Sequence, residues 1–298
     1  MAFLHDPVVV RVPATSANLG PGFDALGLAL TLYDEAEARV TAGGVAVAVE
    51  GEGAGELPSD ASHLVVRSMQ RAFEALGERP AGLALRCRNR IPQARGLGSS
   101  SAAIVAGIML ARALVEDGAA RMDDAAALAL AGEIEGHPDN VAPCLLGGFT
   151  IAWTEDGVAT AVRREPAEGI HPVVFVPEER GLTEAARAAL PKTVPHADAA
   201  FNAARAALLV HALAGDPSRL FAATEDRLHQ GYRAEGMPLT AGLVEQLRAD
   251  GVAAVVSGAG PSVLAFGIDG WTPRPMPGWR VLPLDVDVTG ARLGGELA

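Results

Sequence analysis

A glycine- and serine-rich segment in the first half of the chain constrains its fold more than any other feature. Residues 92–102, PQARGLGSSSA, lie between a predicted strand at residues 83–88 and the run AAIVAGIMLARAL, which is apolar on almost every side. Because a helix that is apolar all round must be buried, the segment predicts a turn from a strand into a core helix. Gly96 and Gly98 permit unusual backbone angles and the close approach of a ligand.

Such a turn can bind phosphate without a lysine side chain. The first N–H groups of a helix have no intrahelical partner, and the helix dipole adds positive potential there. Ser99, Ser100 and Ser101 supply hydroxyl groups and are expected to N-cap the helix, and Arg95 can add one charge. The single lysine, Lys192, does not follow the glycines, so a Walker A loop is excluded. An ordinary strand-to-helix connection with a serine cap is the alternative interpretation.

A second group of polar residues follows a predicted helix at residues 123–135. Its members are Glu133, Glu135, His137, Asp139 and Asn140. Carboxylates near a phosphate loop suit Mg²⁺, a hard cation that takes oxygen ligands, while His137 and Asn140 can orient a polar substrate. An exposed helix end, at which His137 satisfies the last carbonyl groups, explains the same residues, and the sequence alone leaves both interpretations open.

Three further features carry less information on their own. Asn18 and Asp24 flank a Gly-Pro-Gly turn, where Asp24 can receive an ammonium or hydroxyl group, but a turn whose side chains bond to their own backbone is the simpler explanation. The segment SGAGPS, residues 257–262, predicts a tight turn. Arg187 and Arg233 are solitary arginines that nothing local distinguishes from surface charges.

The charge of the chain limits its partners. With 24 basic and 36 acidic residues, the net charge is −12, which disfavours binding to nucleic acid or to anionic membranes. The apolar run at residues 102–111 is too short to span a bilayer, and the first residues predict no signal peptide. Cys87 and Cys144 form neither a CxxC pair nor a zinc spacing, which favours a reducing compartment over a disulfide scaffold.

The alternation of elements predicts an α+β protein of two domains, residues 1–165 and 166–298. Predicted strands cover residues 8–12, 45–49, 83–88, 149–153, 159–163, 173–176, 252–256 and 262–266, with at least one more after Trp279. Predicted helices cover residues 62–76, the apolar run after the serines, and residues 123–135, 198–213, 217–228 and 238–249.

Taken together, the motifs resemble the GHMP kinase superfamily. PATSANLGPGFDALGLAL is similar to its first motif, PQARGLGSSSA to its second and SGAGPS to its third, in the same order and at matching spacing. SANLGPGFD, EGHPDNVAP and LLGGF resemble the homoserine kinase family within it, over nearly the whole chain. The resemblance implies a ribosomal protein S5 domain 2-like N-terminal domain that binds the nucleotide. It also implies a ferredoxin-like C-terminal domain that completes the substrate site.

The same resemblance implies a cytoplasmic enzyme of threonine biosynthesis that forms O-phospho-L-homoserine from L-homoserine and ATP with Mg²⁺, with a homodimer as the family's common assembly. It places ATP against His63, which stands where many relatives have asparagine near the adenine, and against Pro92, Gln93, Ala94, Arg95, Gly96, Leu97, Gly98, Ser99, Ser100, Ser101 and Ala102. It assigns Mg²⁺ to Ser100 or Ser101 with Glu135 or Glu133, and leaves the choice between the glutamates open, with Glu135 slightly favoured.

For the amino-acid substrate, the resemblance implies that Asn18, Asp24, His137 and Asn140 face homoserine, with Asp24 receiving its ammonium group. Arg187 and Arg233 would bind the carboxylate, where a bidentate guanidinium fits well. Asn18, Asp24, Thr183 and Arg187 form the expected catalytic set, and no residue is required to act as a general base. Another small-molecule kinase of the superfamily, such as a threonine or mevalonate kinase, and a non-catalytic ligand sensor are the alternatives.

Overall fold

Two β-sheets and the helices packed on them form the protein. The structure, a computed structural model, describes residues 3–4, 6–181, 183–268, 271–294 and 297. The strands of the first half are β1 (Val8–Ala17), β2 (Leu26–Thr41), β3 (Gly44–Gly51), β4 (Gly82–Asn89), β5 (Phe149–Glu155) and β6 (Val158–Arg164). The helices of that half are α1 (Leu64–Ala75), α2 (Ser99–Leu114), α3 (Gly118–Arg121), α4 (Asp124–Glu135) and α5 (Pro138–Leu146). The expected α+β class is confirmed.

The second half contributes the other elements. Its strands are β7 (Ile170–Pro177), β8 (Ala253–Val256), β9 (Val263–Ile268), β10 (Trp279–Pro283) and β11 (Arg292–Leu293). Its helices are α6 (Thr183–Ala188), α7 (His196–Ala214), α8 (Leu220–Ala223), α9 (Gln230–Arg233) and α10 (Pro238–Ala249), with short 3₁₀ turns at Pro217–Arg219 and Ala234–Gly236.

The seven-stranded first sheet follows the order β11-β1-β2-β4-β3, and β5 joins β2 to the edge strand β6. The pair β3–β4 is parallel, and the other described pairs are antiparallel. The apolar helix α2 packs on this sheet beside α1, and Ile104, Val105 and Leu110 are almost fully buried. Gly107 permits the contact between the helices, because a Cβ there would lie 2.5 Å from the carbonyl oxygen of Val65. The predicted core helix is therefore confirmed.

Strand β1 extends beyond the predicted residues 8–12. It continues through Pro13 to Ala17, and its pairing with β2 shifts register between Pro13 and Ala14. A proline lacks the N–H group that a regular ladder would use, so an irregularity there is a favourable place for it. This extension carries Thr15 and Ser16 to the functional site, while the long strand β2 was missing from the sequence prediction.

The predicted helix at residues 217–228 is wrong beyond Ala223. A short 3₁₀ turn and α8 form, and the chain then leaves the helical path. The carboxylate of Asp226 accepts hydrogen bonds from the backbone N–H groups of Leu228, His229 and Gln230. Such local side-chain bonds compete with helix hydrogen bonds, and here they redirect the chain towards the site. The helix predicted at 238–249 matches α10.

The second sheet has the antiparallel order β10-β7-β9-β8. Beyond β10 the chain returns to the first sheet, where β11 pairs with β1 and Val286 bridges to Leu30. The predicted division at residue 165 stays a prediction. Both cysteines are buried and free. Among the described residues, none of the helices combines the length and the apolar character needed to cross a membrane.

Candidate active site

Two adjoining cavities meet at the leading end of α2. The α1-side cavity, of about 280 Å³, lies against the start of α1 and includes His63. The α6-side cavity, of about 260 Å³, lies against α6 and includes Thr183 and Arg187. Ala94, Ser99 and Ser100 line both. The glycine-serine segment therefore stands where the two cavities join.

The glycines of this segment make room for protein rather than for a ligand. Gly96 and Gly98 have φ angles of 72° and 68°, in the left-handed region that favours glycine. A Cβ on Gly96 would collide with the carbonyl oxygen of Ser257, and one on Gly98 with the hydroxyl of Thr15. The expected unusual backbone angles are present, but the atoms that approach these glycines closely belong to Thr15 of the first motif and Ser257 of the third, not to a ligand.

The three serines do not N-cap α2, contrary to expectation. Gly98 precedes the helix, and no hydrogen bond from a described side chain caps it. The serines occupy the first turn instead, where the hydroxyls of Ser100 and Ser101 donate to Oε1 of Glu135 at 2.7 and 2.9 Å. Since the first N–H groups of a helix have no intrahelical partner, this end of α2 remains open to an anion.

Glu133 and Glu135 have different surroundings although they are two residues apart. Glu135 meets the two serine hydroxyls beside the α6-side cavity. Glu133 accepts a hydrogen bond from Arg71 at 2.8 Å, and its side chain is 62% exposed. No cluster of three or more His, Cys, Asp or Glu side chains is arranged for a metal within the described residues. One carboxylate and two hydroxyls nevertheless suit Mg²⁺, which usually completes its shell with substrate phosphates and water.

Arg95 does not direct its guanidinium at the serines, contrary to the expectation that it adds a charge there. Its three nitrogens donate to the carbonyl oxygens of Gln93, Pro177 and Glu178 at 2.7 to 2.9 Å. Close by, the N–H of Gly181 donates to the carbonyl of Ala94 at 2.8 Å. Arg95 therefore joins the glycine-serine segment to the end of β7, because an arginine can satisfy several carbonyls at once.

The first and third motifs meet over the second. Asn18 donates to the carbonyl of Gly258 at 2.8 Å, and its side-chain oxygen accepts from the backbone N–H of Asp24 at 2.9 Å. The hydroxyl of Ser257 donates to the carbonyl of Gly96 at 2.6 Å. Asn18 is 4% exposed and has a φ of 66°. Its amide thus holds the turn that presents Asp24, and the SGAGPS turn joins all three motifs.

Asp24 and Arg187 form an ion pair across the α6-side cavity. Two guanidinium nitrogens donate to the two carboxylate oxygens at 2.8 and 3.0 Å. The hydrogen bonds to Asp24 raise the pKa of Arg187 further above its usual range. Thr183 and Arg187 both lie on α6. The structure therefore brings together two opposite charges that are 163 positions apart in the sequence.

Arg233 lines the same cavity as this pair and is 3% exposed. Its Nε donates to the carbonyl of Ala186 at 3.0 Å, and Nη1 lies 3.1 Å from Nδ1 of His229. Burial lowers the pKa of His229 and of Arg233. Nε2 of His229 lies 2.8 Å from the carbonyl of Gly20, so a neutral ring can donate there and accept from Arg233.

His229 and Phe23 are functional residues that the sequence prediction missed. The ring of Phe23 lies 5.8 Å from the guanidinium of Arg187 and 5.4 Å from that of Arg233, distances typical of cation–π contacts. Phe23 belongs to the motif SANLGPGFD, and His229 lies four residues before Arg233. Their positions close to Asp24 and Arg233 in the sequence are the signal that could have identified them.

His137 and Asn140 also line the α6-side cavity, where α5 begins. Nδ1 of His137 lies 2.5 Å from a carboxylate oxygen of Asp139, and this hydrogen bond raises the pKa of His137 against the effect of burial. Asn140 accepts from the hydroxyl of Thr15 at 2.8 Å. Apart from Glu133, which is exposed, the polar group after α4 therefore lines the cavity.

The α1-side cavity contains an unsatisfied histidine. His63 is 3% exposed, and neither ring nitrogen has a hydrogen-bond partner among the described residues. Burial lowers the pKa of His63, which favours the neutral ring. Asp34 lies in the same cavity, where burial raises the pKa of its carboxyl group to about 6. Val12, Ala36 and other apolar side chains complete a surface that suits a flat ring.

Most of the sequence-predicted residues gather around these two cavities. The α6-side cavity is lined by Asn18, Asp24, Ala94, Arg95, Gly96, Leu97, Gly98, Ser99, Ser100, Glu135, His137, Asn140, Thr183, Arg187 and Arg233. The α1-side cavity is lined by His63, Gln93, Ala94, Ser99, Ser100 and Ala102. Ser101 is buried against Glu135, whereas Pro92 and Glu133 line neither cavity.

Comparison with known proteins identifies relatives over almost the whole chain. Residues 63–148 match the family model of the GHMP kinases N-terminal domain. A homoserine kinase of Streptomyces coelicolor is 62% identical over 89% of this chain and 86% of its own, and one of Streptomyces avermitilis is 58% identical over 97% and 96%. A crystal structure of homoserine kinase from Cytophaga hutchinsonii superposes with a TM-score of 0.84 at 26% identity, over 97% of this chain and 98% of that one.

Proposed function

This chain belongs to the homoserine kinase family, and from that premise we propose how its residues phosphorylate the side-chain hydroxyl of L-homoserine with ATP. The family makes it an ATP-dependent phosphotransferase with an alcohol acceptor. One observation carries the residue assignments: the open end of α2 and Glu135 face the Asp24–Arg187 pair across a single cavity of about 260 Å³. One wall of this cavity suits phosphate, and the other suits an amino acid.

The phosphates of ATP bind at the leading end of α2. Backbone N–H groups of Ser99 to Ser101 supply donors there, and the helix dipole favours negative charge. The base extends into the α1-side cavity, where the unpaired nitrogens of His63 are available to hydrogen-bond its edge. The protein carries a net charge of −12, so it needs local donors to hold an anionic nucleotide. Here neutral backbone N–H groups replace the lysine that a Walker A loop would use.

Glu135 and the hydroxyls of Ser100 and Ser101 would hold Mg²⁺. When bound, the ion neutralises charge that builds up on the phosphate oxygens. The two hydroxyls already converge on one oxygen of Glu135, within 2.9 Å. The contact of Glu133 with Arg71, away from the serines, supports assigning this role to Glu135.

Homoserine binds against the opposite wall. Arg187 and Arg233 bind its carboxylate and Asp24 binds its ammonium group, while His137 and Asn140 bound the space left for its side chain. Asn18 acts mainly by holding the turn that carries Asp24, since both ends of its amide are already bonded. Thr183 stands at the start of α6, beside the same space.

Transfer then depends on alignment more than on proton abstraction. Holding the hydroxyl in line with the γ-phosphorus can supply about 7–11 kcal/mol of the barrier reduction. A loose transition state makes little demand on a base. Asp24 is poorly placed to act as one, because Arg187 or the substrate's ammonium group engages its carboxylate. The hydroxyl proton leaves late, to the phosphate itself.

A coupled ADP-release assay with homoserine, threonine, serine and mevalonate, using ATP and GTP in parallel, tests this function. We expect homoserine with ATP to give the highest kcat/KM. Mevalonate carries a carboxylate but no amine, so it leaves Asp24 without its partner. Higher activity on threonine or mevalonate would reassign the acceptor, and no ADP release with any alcohol would instead indicate a ligand sensor.

The setting of the enzyme also belongs to the proposal. We expect it to act in the cytoplasm, in threonine biosynthesis, and to associate as a homodimer. Light scattering on the purified protein measures the assembly directly, and a mass near 30.5 kDa would contradict the dimer.

A further inference from the structure

The hairpin of β5 and β6 exposes large apolar side chains on one face. Trp153 is 39% exposed, Val158 50% and Val162 44%. The pairing of β5 with β6 puts all three on the same face, because side chains alternate along a strand. The opposite face packs on α4, where a Cβ on Gly132 would collide with Ala159. We call the first of these the outer face of the hairpin, and an exposed apolar patch of this kind marks an interaction surface.

Strand β6 is also an edge of the first sheet, because β5 is its partner and no other described strand pairs with it. Its seven residues pair with β5 without a bulge, and none of them is a proline or a lysine. Natural edge strands commonly use those features to prevent further pairing. The other edges of this sheet offer less, since β11 has two residues and the exposed side chains of β3 are Ala46, Ala48 and Glu50.

The turn of the hairpin decides which backbone groups of β6 point away from β5. Asp156 and Gly157 have φ angles of 51° and 82°, as in a two-residue type I′ turn. A hydrogen-bonded pair flanks such a turn, here Glu155 with Val158, and hydrogen-bonded pairs then alternate along the ladder. The residues whose N–H and C=O groups face outward are therefore Ala159, Ala161 and Arg163.

Two copies of the chain can pair through these groups about a two-fold axis. With the axis at Ala161, the middle residue of β6, every residue of the strand has a partner in the other copy. An axis at Ala159 would pair fewer residues. An axis at Arg163 would place two like charges directly opposite each other, which destabilises a strand pair. The geometry of β6 therefore favours a single register.

The same register matches the side chains of the outer face. Val162 of one copy lies opposite Thr160 of the other. Val158 lies between Glu155 of its own hairpin and Arg164 of the other copy, so these charges are two strands apart, roughly 10 Å, and their long side chains can meet. Both are exposed, and neither has an opposite charge as a partner among the described residues. Two-fold symmetry forms this ion pair twice.

We propose that a second copy of this chain docks on the outer face and edge of this hairpin, by antiparallel pairing of β6 with β6 centred on Ala161. The inference rests on the homodimer expected above and adds the surface that forms it. Pairing covers Trp153, Val158 and Val162 in both copies and joins their first sheets into one. Each copy keeps its own active site, because none of these residues lines either cavity.

The charge pair gives the sharpest test, since exchanging its two charges leaves the apolar contacts unchanged. Sedimentation velocity over a range of protein concentrations measures the dissociation constant of the dimer. Glu155→Arg and Arg164→Glu should each raise that constant at least tenfold, because like charges replace both ion pairs. The double variant carrying both changes should return to within threefold of the wild type.

A charge placed in the apolar contact tests the same surface. Val162→Asp should raise the dissociation constant at least tenfold. Leu293→Asp is the matched control and should change it less than twofold, since Leu293 is 56% exposed on β11, at another edge of the same sheet. Thermal unfolding confirms that each variant is folded.

Cysteine pairs test the register. Thr160→Cys combined with Val162→Cys places cysteines directly opposite each other across an axis at Ala161, at a Cα separation that a disulfide accepts. Val158→Cys combined with Thr160→Cys does so only for an axis at Ala159. The native cysteines are buried and should not interfere. Mild oxidation should convert most of the first variant to a covalent dimer and little of the second.

Three results overturn the inference. A dimer that neither Glu155→Arg nor Val162→Asp weakens has its interface elsewhere, and dissociation by Leu293→Asp alone would move that interface to β11. Failure of the double charge variant to recover, together with no crosslink between positions 160 and 162, contradicts pairing about Ala161. A wild type that is monomeric at every concentration contradicts the expected homodimer and this surface together, whereas the ADP-release assay decides the proposed reaction separately.

Discussion

The two walls of the α6-side cavity are built in different ways. The wall formed by the leading end of α2 comes from one continuous segment, and its donors are mainly backbone N–H groups and serine hydroxyls. The opposite wall collects charged side chains from residues 24, 187 and 233, which tertiary contacts bring together. We refer to them as the phosphate wall and the amino-acid wall.

The difference matches what we propose that each wall binds. A triphosphate is recognised by many similar donors that a helix end presents without further help. An amino acid carries two opposite charges, and these need separate partners at a set distance. The amino-acid wall is therefore more easily changed by a single substitution without loss of the fold, while the phosphate wall is tied to the core through α2.

The comparison is tested most strongly at Glu135, where the phosphate wall has its one carboxylate. Glu135→Gln should lower kcat/KM for MgATP about 10³-fold, or about 4 kcal/mol, because a charged oxygen ligand of Mg²⁺ is lost. Steady-state kinetics over a range of Mg²⁺ concentrations measure this effect. Glu133→Gln is the matched control and should stay within twofold, since Glu133 faces Arg71. The reverse order would move the ion to Glu133.

On the amino-acid wall, Arg187→Ala should act mainly on substrate binding. The KM for homoserine should rise about 100-fold, because two charge-assisted hydrogen bonds to the carboxylate are lost, while kcat changes much less. The KM for ATP should stay near that of the wild type. A collapsed kcat with an unchanged KM for homoserine would contradict a role in ground-state binding.

Arg95 tests whether the two walls depend on each other. Arg95→Met removes two hydrogen bonds from the glycine-serine segment to the end of β7 and one within the segment, to Gln93, and should raise the KM for ATP about tenfold. Arg95→Lys should not restore it, because an ammonium group lacks the planar fork that reaches three carbonyls. Arg180→Met removes an exposed contact with Glu56 and serves as the control. Full activity of Arg95→Met would show that the segment keeps its shape without this contact.

The smallest expected effect concerns stability near the α1-side cavity. Burial raises the pKa of Asp34 to about 6 from its usual 3.8, so its charged form costs stability above pH 6 and that cost disappears below about pH 4. Asp34→Asn keeps an oxygen for the N–H groups of Arg90 and Ile91. It should raise the free energy of unfolding by about 1–2 kcal/mol at pH 7.5.

Chemical denaturation of Asp34→Asn at pH 4, 6 and 7.5 measures this dependence. Because the carboxyl group is partly exposed to the cavity, the gain should fall below the value that full burial would give. Glu37→Gln changes a carboxylate on the same strand, 4.0 Å from Arg86, and should stay within about 0.5 kcal/mol at each pH. A gain that persists at pH 4 would trace the effect to packing instead of charge.

Much of the phosphate wall was predictable because it is local. A strand, two glycines and an apolar run dictate a turn into a buried helix, and the positive φ angles of Gly96 and Gly98 follow from that geometry. Two details failed. The serines bond to Glu135 instead of capping α2, and Arg95 bonds to the end of β7, because both partners lie on other elements.

The amino-acid wall was recognisable only through the resemblance of the motifs, since nothing near Arg187 or Arg233 distinguishes them. The choice between Glu133 and Glu135 shows why. Residues two apart on a helix point in different directions, so composition cannot say which one faces the serines. That direction depends on how α4 packs against α2.

The sequence by itself determined the class of fold, the turn into α2 and the family. Each of these depends on the order of neighbouring residues, which restricts the backbone directly. Only the tertiary structure decided that Asp24 meets Arg187, that His229 contacts Arg233, and that Arg95 bonds to the end of β7. The first and the last of these contacts join residues more than 80 positions apart, and the second lies just beyond the helix predicted at residues 217–228. Tertiary packing sets their distances.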